Sequence, residues 1–231
     1  MLVAAALCPA APALVTELTQ GAANELADIR EACDVAALEV LQRRGSRLIV
    51  VAAGAQCRTF DPRSPAGFAR LGVALDVAPS GGPVIVGDPL PTPLAVGRWL
   101  LARAGRTVDD TWCTVDAAGA RAFGERIAHS PEPVTLLVLG EACAAVGPHA
   151  PLPQDDRAPG FDAAVTDAVA RGDVGALAAL DGGLASALGA TGWAPWQALA
   201  ASAGGRPVAG RLLAYGAPYG VGYLVATWAA A

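Results

Sequence analysis

Apolar residues fall along this chain in two kinds of pattern. Three short runs are apolar at nearly every position: "LVAAAL" (Leu2 to Leu7), "RLIVVAA" (Arg47 to Ala53) and "VTLLVL" (Val134 to Leu139). Continuous runs of this length predict strands buried on both faces, as in a parallel sheet. From Asn24 to Arg44 the pattern changes. Leu26, Ile29, Cys33, Ala37, Val40 and Leu41 recur at helical spacing, while Glu25, Asp28, Arg30 and Glu31 take the wet side. Gly45 ends this helix. With a strand on either side, it predicts a parallel βαβ pair.

The alternation continues downstream. "PVIVGD" (Pro83 to Asp88) predicts a short strand, and Thr92 to Ala104 a helix that Pro93 can open at its first turn. A brief strand is expected near Trp112 to Val115 and a helix over Ala117 to Ala128. A long loop follows over 147–160, then helices near 161–171, 174–180, 183–189 and 194–203, and closing strands near 209–215 and 221–228. No linker or repeat interrupts the series. It predicts one α/β domain over 1–231, with a mostly parallel or mixed central sheet flanked by helices.

The composition narrows the chemistry. Of 231 residues 54% are hydrophobic and 16% charged, ample material for one substantial core. The net charge of −5 and the lack of a cationic run argue against a nucleic-acid partner; Arg43, Arg44 and Arg47 read as a helix end. All 16 basic residues are arginine. Without lysine there is no Schiff-base chemistry and no Walker A nucleotide hydrolysis. Cys8, Cys33, Cys57, Cys113 and Cys143 are odd in number and never form a Cys-x-x-Cys pair. They read as reduced thiols in a cytoplasmic protein, and the N-terminus lacks the positive region of a signal peptide. Residues 212–231 reach membrane-spanning length, but Gly216, Pro218, Gly220 and Gly222 divide them, so two strands and a turn are expected instead.

Ligand sites of open α/β sheets lie beyond the carboxyl ends of the strands. Three such ends stand out: Cys8 to Pro12, Gly54 to Cys57, and Gly140 to Cys143. Around them, "AAALCPAAPAL", "LIVVAAGA", "GDPLPTPLAVGRWLL", "LLVLGEACA", "GFDAAVTDAVARGDVGALAALD", "GWAPWQALAASAG" and "LLAYGAPYGVGYLVATW" occur in the order seen in class III extradiol dioxygenases of the subunit-B-like superfamily. The chain resembles an uncharacterised bacterial branch of that superfamily, and more distantly the Memo proteins, over nearly its whole length.

That resemblance implies a ring-cleaving fold in which two histidines and a glutamate hold Fe(II) and a further histidine acts as acid/base. This chain departs from it at every position. The first histidine would stand at Ala10 or Ala11, the second near Gly54, Ala55 and Gln56, and the acid/base near Cys143 to Ala145. The last glutamate in the chain is Glu141, whereas the family's ligand comes late. No cofactor is therefore expected, and no metal. Cys8, Ala10, Ala11, Gly54 and Ala55 mark a vestigial cleft.

The remaining candidates are few. His129 sits at a helix end, where a cationic side chain suits the dipole. His149 lies in the long loop, close in sequence to Glu141 and Cys143, and could serve as an acid/base or lone ligand as well as a solvated loop residue. Cys143 reads as a structural thiol or, if His149 activates it, a nucleophile. Tyr219 in "APYGVGY" reads as turn packing or as a donor to a ligand. Asp155, Asp156 and Arg157 read as a solvated charge cluster or as a metal or phosphate site, Asp109 and Asp110 as a polar turn, and Trp193 and Trp196, three apart on a helix face, as core or interface packing. Three functions stay open at this point. One is a non-catalytic relative of the dioxygenases that binds a small molecule or protein partner. Another is an enzyme with non-iron chemistry using Glu141, Cys143, His149 or Tyr219. The third is a structural subunit whose Trp-bearing C-terminal segments form a homo-oligomer interface.

Overall fold

The computed structural model of the protein describes residues 1–20, 24–43, 45–79, 82–105 and 111–230. In chain order the elements are β1 (Leu2–Cys8), α1 (Thr16–Thr19), α2 (Ala27–Leu41), β2 (Arg47–Ala53), β3 (Arg58–Phe60), α3 (Thr92–Arg103), β4 (Thr111–Val115), α4 (Ala120–Ala128) and β5 (Val134–Leu139). Four helices follow, α5 (Ala158–Arg171), α6 (Val174–Ala178), α7 (Gly182–Ala187) and α8 (Trp193–Ser202), then β6 (Val208–Gly216) and β7 (Tyr223–Ala230).

The strands form one sheet in the order β3-β4-β2-β5-β1-β7-β6. Its centre, β4-β2-β5-β1, is parallel, while β3 runs antiparallel to β4, β7 to β1, and β6 to β7. The three continuous apolar runs are the three central strands β1, β2 and β5. Both faces of each are covered, which is why they show no alternation. On one face Leu7, Ile49, Val51, Leu136 and Val138 pack with side chains of α4, α5 and α8. On the other, Ala6, Val50, Ala52, Leu137 and Leu139 pack with those of α2 and α3. The chain is a single α/β unit with a mixed sheet flanked by helices.

Several expectations change. β1 and β2 are parallel but not neighbours, because β5 inserts between them and pairs with both. That insertion brings the loops after β1, β2 and β5 together at one end of the sheet. Pro83 to Asp88 is not a strand. Val84 and Val86 are exposed, and Ile85 N–H donates to the Arg63 carbonyl within a loop that joins β3 to α3. Proline and glycine flank the run closely, and it touches the edge strand β3 through the Asp88–Arg58 ion pair (2.6 Å) rather than through a backbone ladder. The same loop is pinned by the buried Arg98 of α3, which donates to the carbonyls of Ser64 (2.7 Å) and Pro62 (2.8 Å) and stacks over Trp112 at 4.9 Å.

The unpredicted β3 is short and mostly polar, and only its pairing with β4 defines it. The helix expected from Asn24 begins with a 3₁₀ turn and becomes α-helical at Ala27; Arg44, like Asp109 and Asp110, lies outside the described residues. The helix expected from Ala117 starts at Ala120, because the Asp116 side chain accepts from Gly119 N–H (2.7 Å) and holds the preceding residues in a turn.

The C-terminal segment is the antiparallel hairpin β6-β7, and among the described residues no helix is long and apolar enough to cross a membrane. None of the five tryptophans is exposed. Trp196 and Trp228 are in the core, and Trp193 donates to the Leu180 carbonyl (2.9 Å). Trp193 is half-buried and lines a shallow depression beside α7, while the other tryptophans are buried.

Candidate functional site

The loops after β1 and β5 and the end of β2 border a cleft of about 390 Å³ at the carboxyl end of the parallel strands. Ala10, Ala11 and Pro12 line it from the loop after β1, and Ala53 from the end of β2. Leu139, Gly140, Glu141 and Ala144 come from β5 and its loop, and Thr92 and Pro93 from the start of α3. Gly189 and Thr191, between α7 and α8, and Val221 and Tyr223, at the start of β7, complete it. The volume is at the small end for a ligand pocket, and the lining is mostly methyl, methylene and aromatic surface.

Glu141 is the centre of its polar side. One carboxylate oxygen accepts from Ala10 N–H at 2.8 Å, and the other accepts from the Thr191 hydroxyl. The backbone closes the same unit. Glu141 N–H donates to Thr191 Oγ1 (2.9 Å), and its carbonyl accepts from Gly192 N–H (2.9 Å). The side chain thus ties the loop after β1 to the loop after β5 and to the start of α8. This requires close backbone approach. A Cβ on Gly140 would lie 2.4 Å from Gly192 Cα, so only glycine fits there. Burial raises the Glu141 carboxyl above its ordinary pKa, and the hydrogen bonds from Thr191 and Ala10 offset part of that rise.

Immediately behind this loop is a second carboxylate, Asp162 of α5, only 1% exposed. It accepts from Cys143 N–H (2.9 Å) and from the Tyr215 hydroxyl (2.6 Å) of β6. Asp162 is outside the cleft lining. Its function is to hold the loop after β5 against α5 and β6.

Of the residues expected at the site, Glu141, Ala10 and Ala11 line the cleft. Gly54 and Ala55 do not. Gly54 borders an adjoining depression with Asp116 and Ser186, and Ala55 is exposed. Cys8 is buried beneath α2 against Cys33, and that thiol contact, together with burial, pushes the Cys33 pKa up. Cys143 is also buried. Burial first, then the bond and charge of Asp162 and the charge of Asp155, push its thiol well above the ordinary range. Its surroundings hold thiol, not thiolate, and the charged neighbours are carboxylates rather than His149.

His149 is exposed outside the cleft. Tyr219 also lies outside it and donates to Glu25 at 2.9 Å. Asp155 and Arg157 form an exposed ion pair at 2.6 Å, and Arg157 holds the Asp155 carboxyl down at about 2. Cys57 is the one exposed cysteine.

Sequence reading missed Thr191, Gly189 and Tyr223. Thr191 lies 50 residues beyond its partner Glu141. Tyr223 was open to detection by strand parity: it shares a core face with Val225, opposite Leu224, Ala226 and Trp228.

The donor set does not fit Fe(II). Two imidazoles and a carboxylate on one face are needed, and the cleft presents methyl groups at Ala10 and Ala11. At Gly54 a Cβ would lie 2.6 Å from Thr114 Cβ, so the structure leaves no room for a larger residue there. The one carboxylate in the lining has both oxygens engaged. Among the described residues, no three His, Cys, Asp or Glu side chains gather into a group that could hold a metal.

No protein-family profile matches the chain, and no curated protein matches it significantly. Among solved structures it is similar to an uncharacterized protein from Escherichia coli, with a TM-score of 0.53 and 14% identity over 97% of this chain and 99% of that one. The fold is shared. At this identity the likeness extends to the path of the chain and no further.

Proposed function

We propose that this protein is a non-catalytic relative of the class III extradiol ring-cleavage dioxygenases, whose cleft is kept as a small-molecule pocket. The observation that carries this reading is the cleft at the ends of β1, β2 and β5. It is open and apolar at Ala10, Ala11 and Ala144, where the family would place the first and the acid/base imidazole, and its one carboxylate fastens three segments together. Such a site can enclose an organic molecule by burying apolar surface, but it offers no open metal position for a catechol and O2. The resemblance in the order of sequence fragments supplies the family. The buried, free cysteines suit the reducing cytoplasm.

The test is anaerobic loading with Fe(II), followed by metal analysis and a catechol-cleavage assay. The expected result is iron far below one per chain and no ring-opened product, in the wild type and in Ala10→His alike, since one imidazole does not restore the set. Stoichiometric iron with ring cleavage overturns the reading.

A further inference from the structure

The chain has three tyrosines, and two of them have hydroxyl partners. Tyr215 donates to Asp162 and Tyr219 to Glu25. The third, Tyr223, lines the cleft, is 3% exposed, and its hydroxyl has no hydrogen-bond partner among the described residues. The hydroxyl is not among the fully buried, orphaned polar atoms of the described residues, so it opens on the space of the cleft, where a ligand can meet it. Its neighbours make it a donor. Burial first, and then the nearby Glu141 charge, push its pKa up to about 12, so the proton stays on oxygen near neutral pH.

The charges around the cleft restrict what can accept that proton. No arginine or histidine lines it, and the chain has no lysine. The one carboxylate there is Glu141. An anionic ligand would lose its hydration without a cation to replace it, and would face that carboxylate. A cationic ligand would find both Glu141 oxygens already engaged by Ala10 and Thr191. A neutral acceptor meets neither objection.

We propose that the cleft binds uncharged, mainly apolar molecules carrying a carbonyl-type acceptor, anchored by a hydrogen bond from the Tyr223 hydroxyl, with the apolar body against Leu139, Ala144 and Val221. This rests on the reading of the cleft as a small-molecule pocket and adds to it the ligand class and the anchoring residue.

Four probes of nearly equal shape test it: ethylbenzene, acetophenone, benzoate and benzylammonium, each titrated into the full chain by protein-observed NMR. Acetophenone is expected to bind about 5-fold tighter than ethylbenzene, the contribution of one net hydrogen bond. Benzoate and benzylammonium are each expected to bind at least about 10-fold more weakly than acetophenone. Tyr223→Phe should abolish the preference for acetophenone and leave ethylbenzene unchanged. In the wild type with ¹³Cζ-labelled tyrosine, the Tyr223 resonance should move with acetophenone and not with ethylbenzene, a readout that needs no variant. Equal binding of acetophenone and ethylbenzene overturns the anchor, as does a preference that survives Tyr223→Phe. Tighter binding of either charged probe overturns the ligand class while the pocket reading stands. If none of the four perturbs the cleft, the pocket reading itself fails.

Discussion

Glu141 and Asp162 are two carboxylates with similar tasks on opposite sides of one loop. Each accepts a backbone N–H from a post-strand segment and a hydroxyl from a distant element: Ala10 and Thr191 for Glu141, Cys143 and Tyr215 for Asp162. They differ in what lies beyond. Asp162 is enclosed by protein, and its hydroxyl partner Tyr215 is thereby satisfied. Glu141 faces a cleft, and Tyr223, which lines the same cleft, has no hydroxyl partner among the described residues. A fold can use the same device to fasten a loop permanently and to frame a space. A hydroxyl left free to meet a ligand marks which of the two is the site.

The comparison can be broken most forcefully at Asp162. Asp162→Ala strips the partners from the buried Cys143 N–H and from the partly buried Tyr215 hydroxyl, and should cost about 3 kcal/mol in urea unfolding. Glu141→Ala orphans the Ala10 N–H at a partly open site, where water can reach some of the gap. We expect about 1.5 kcal/mol from the same measurement. If the two losses are equal, Glu141 is as enclosed as Asp162 and the distinction falls.

A pH series sharpens the contrast. Because burial raises the Glu141 pKa, the unfolded chain ionises at lower pH than the folded one. Stability from this group is full below the ordinary glutamate range and declines as pH rises toward the folded value, then levels off. Glu141→Gln keeps an acceptor for Ala10 and removes the titration. The stability difference between this variant and wild type should therefore grow across that interval in the variant's favour. A difference independent of pH contradicts the raised pKa. The smallest effect belongs to Tyr223→Phe, which removes a hydroxyl without a protein partner. It should change stability by less than about 0.5 kcal/mol. A loss above 1.5 kcal/mol, roughly one full hydrogen bond, would reveal a partner for that hydroxyl.

Much of this arrangement is legible in the sequence because burial on two faces leaves a plain mark. β1, β2 and β5 are continuous apolar runs, and their ends lead to Ala10, Ala11 and Glu141. What is not legible depends on long-range placement. Nothing local ties Thr191 to Glu141. Pro83 to Asp88 looks like β2 in residue type but forms no backbone ladder among the described residues. Tyr219 and Tyr223 stand four residues apart in one Gly-rich segment. Only the path of the turn into β7 sends the first to Glu25 and the second into the cleft. The insertion of β5 between β1 and β2 is likewise a matter of topology, since all three strands have the same apolar character.

The central claim, that the cleft is an organic pocket and not a metal centre, is tested most directly by one diffraction experiment. Crystals soaked anaerobically with both Fe(II) and acetophenone would be measured at the iron absorption edge. The expected result is ketone density in the cleft with its oxygen on the Tyr223 hydroxyl, and no anomalous peak there. An anomalous peak bound to Glu141, or iron in the cleft with no ketone, would contradict it.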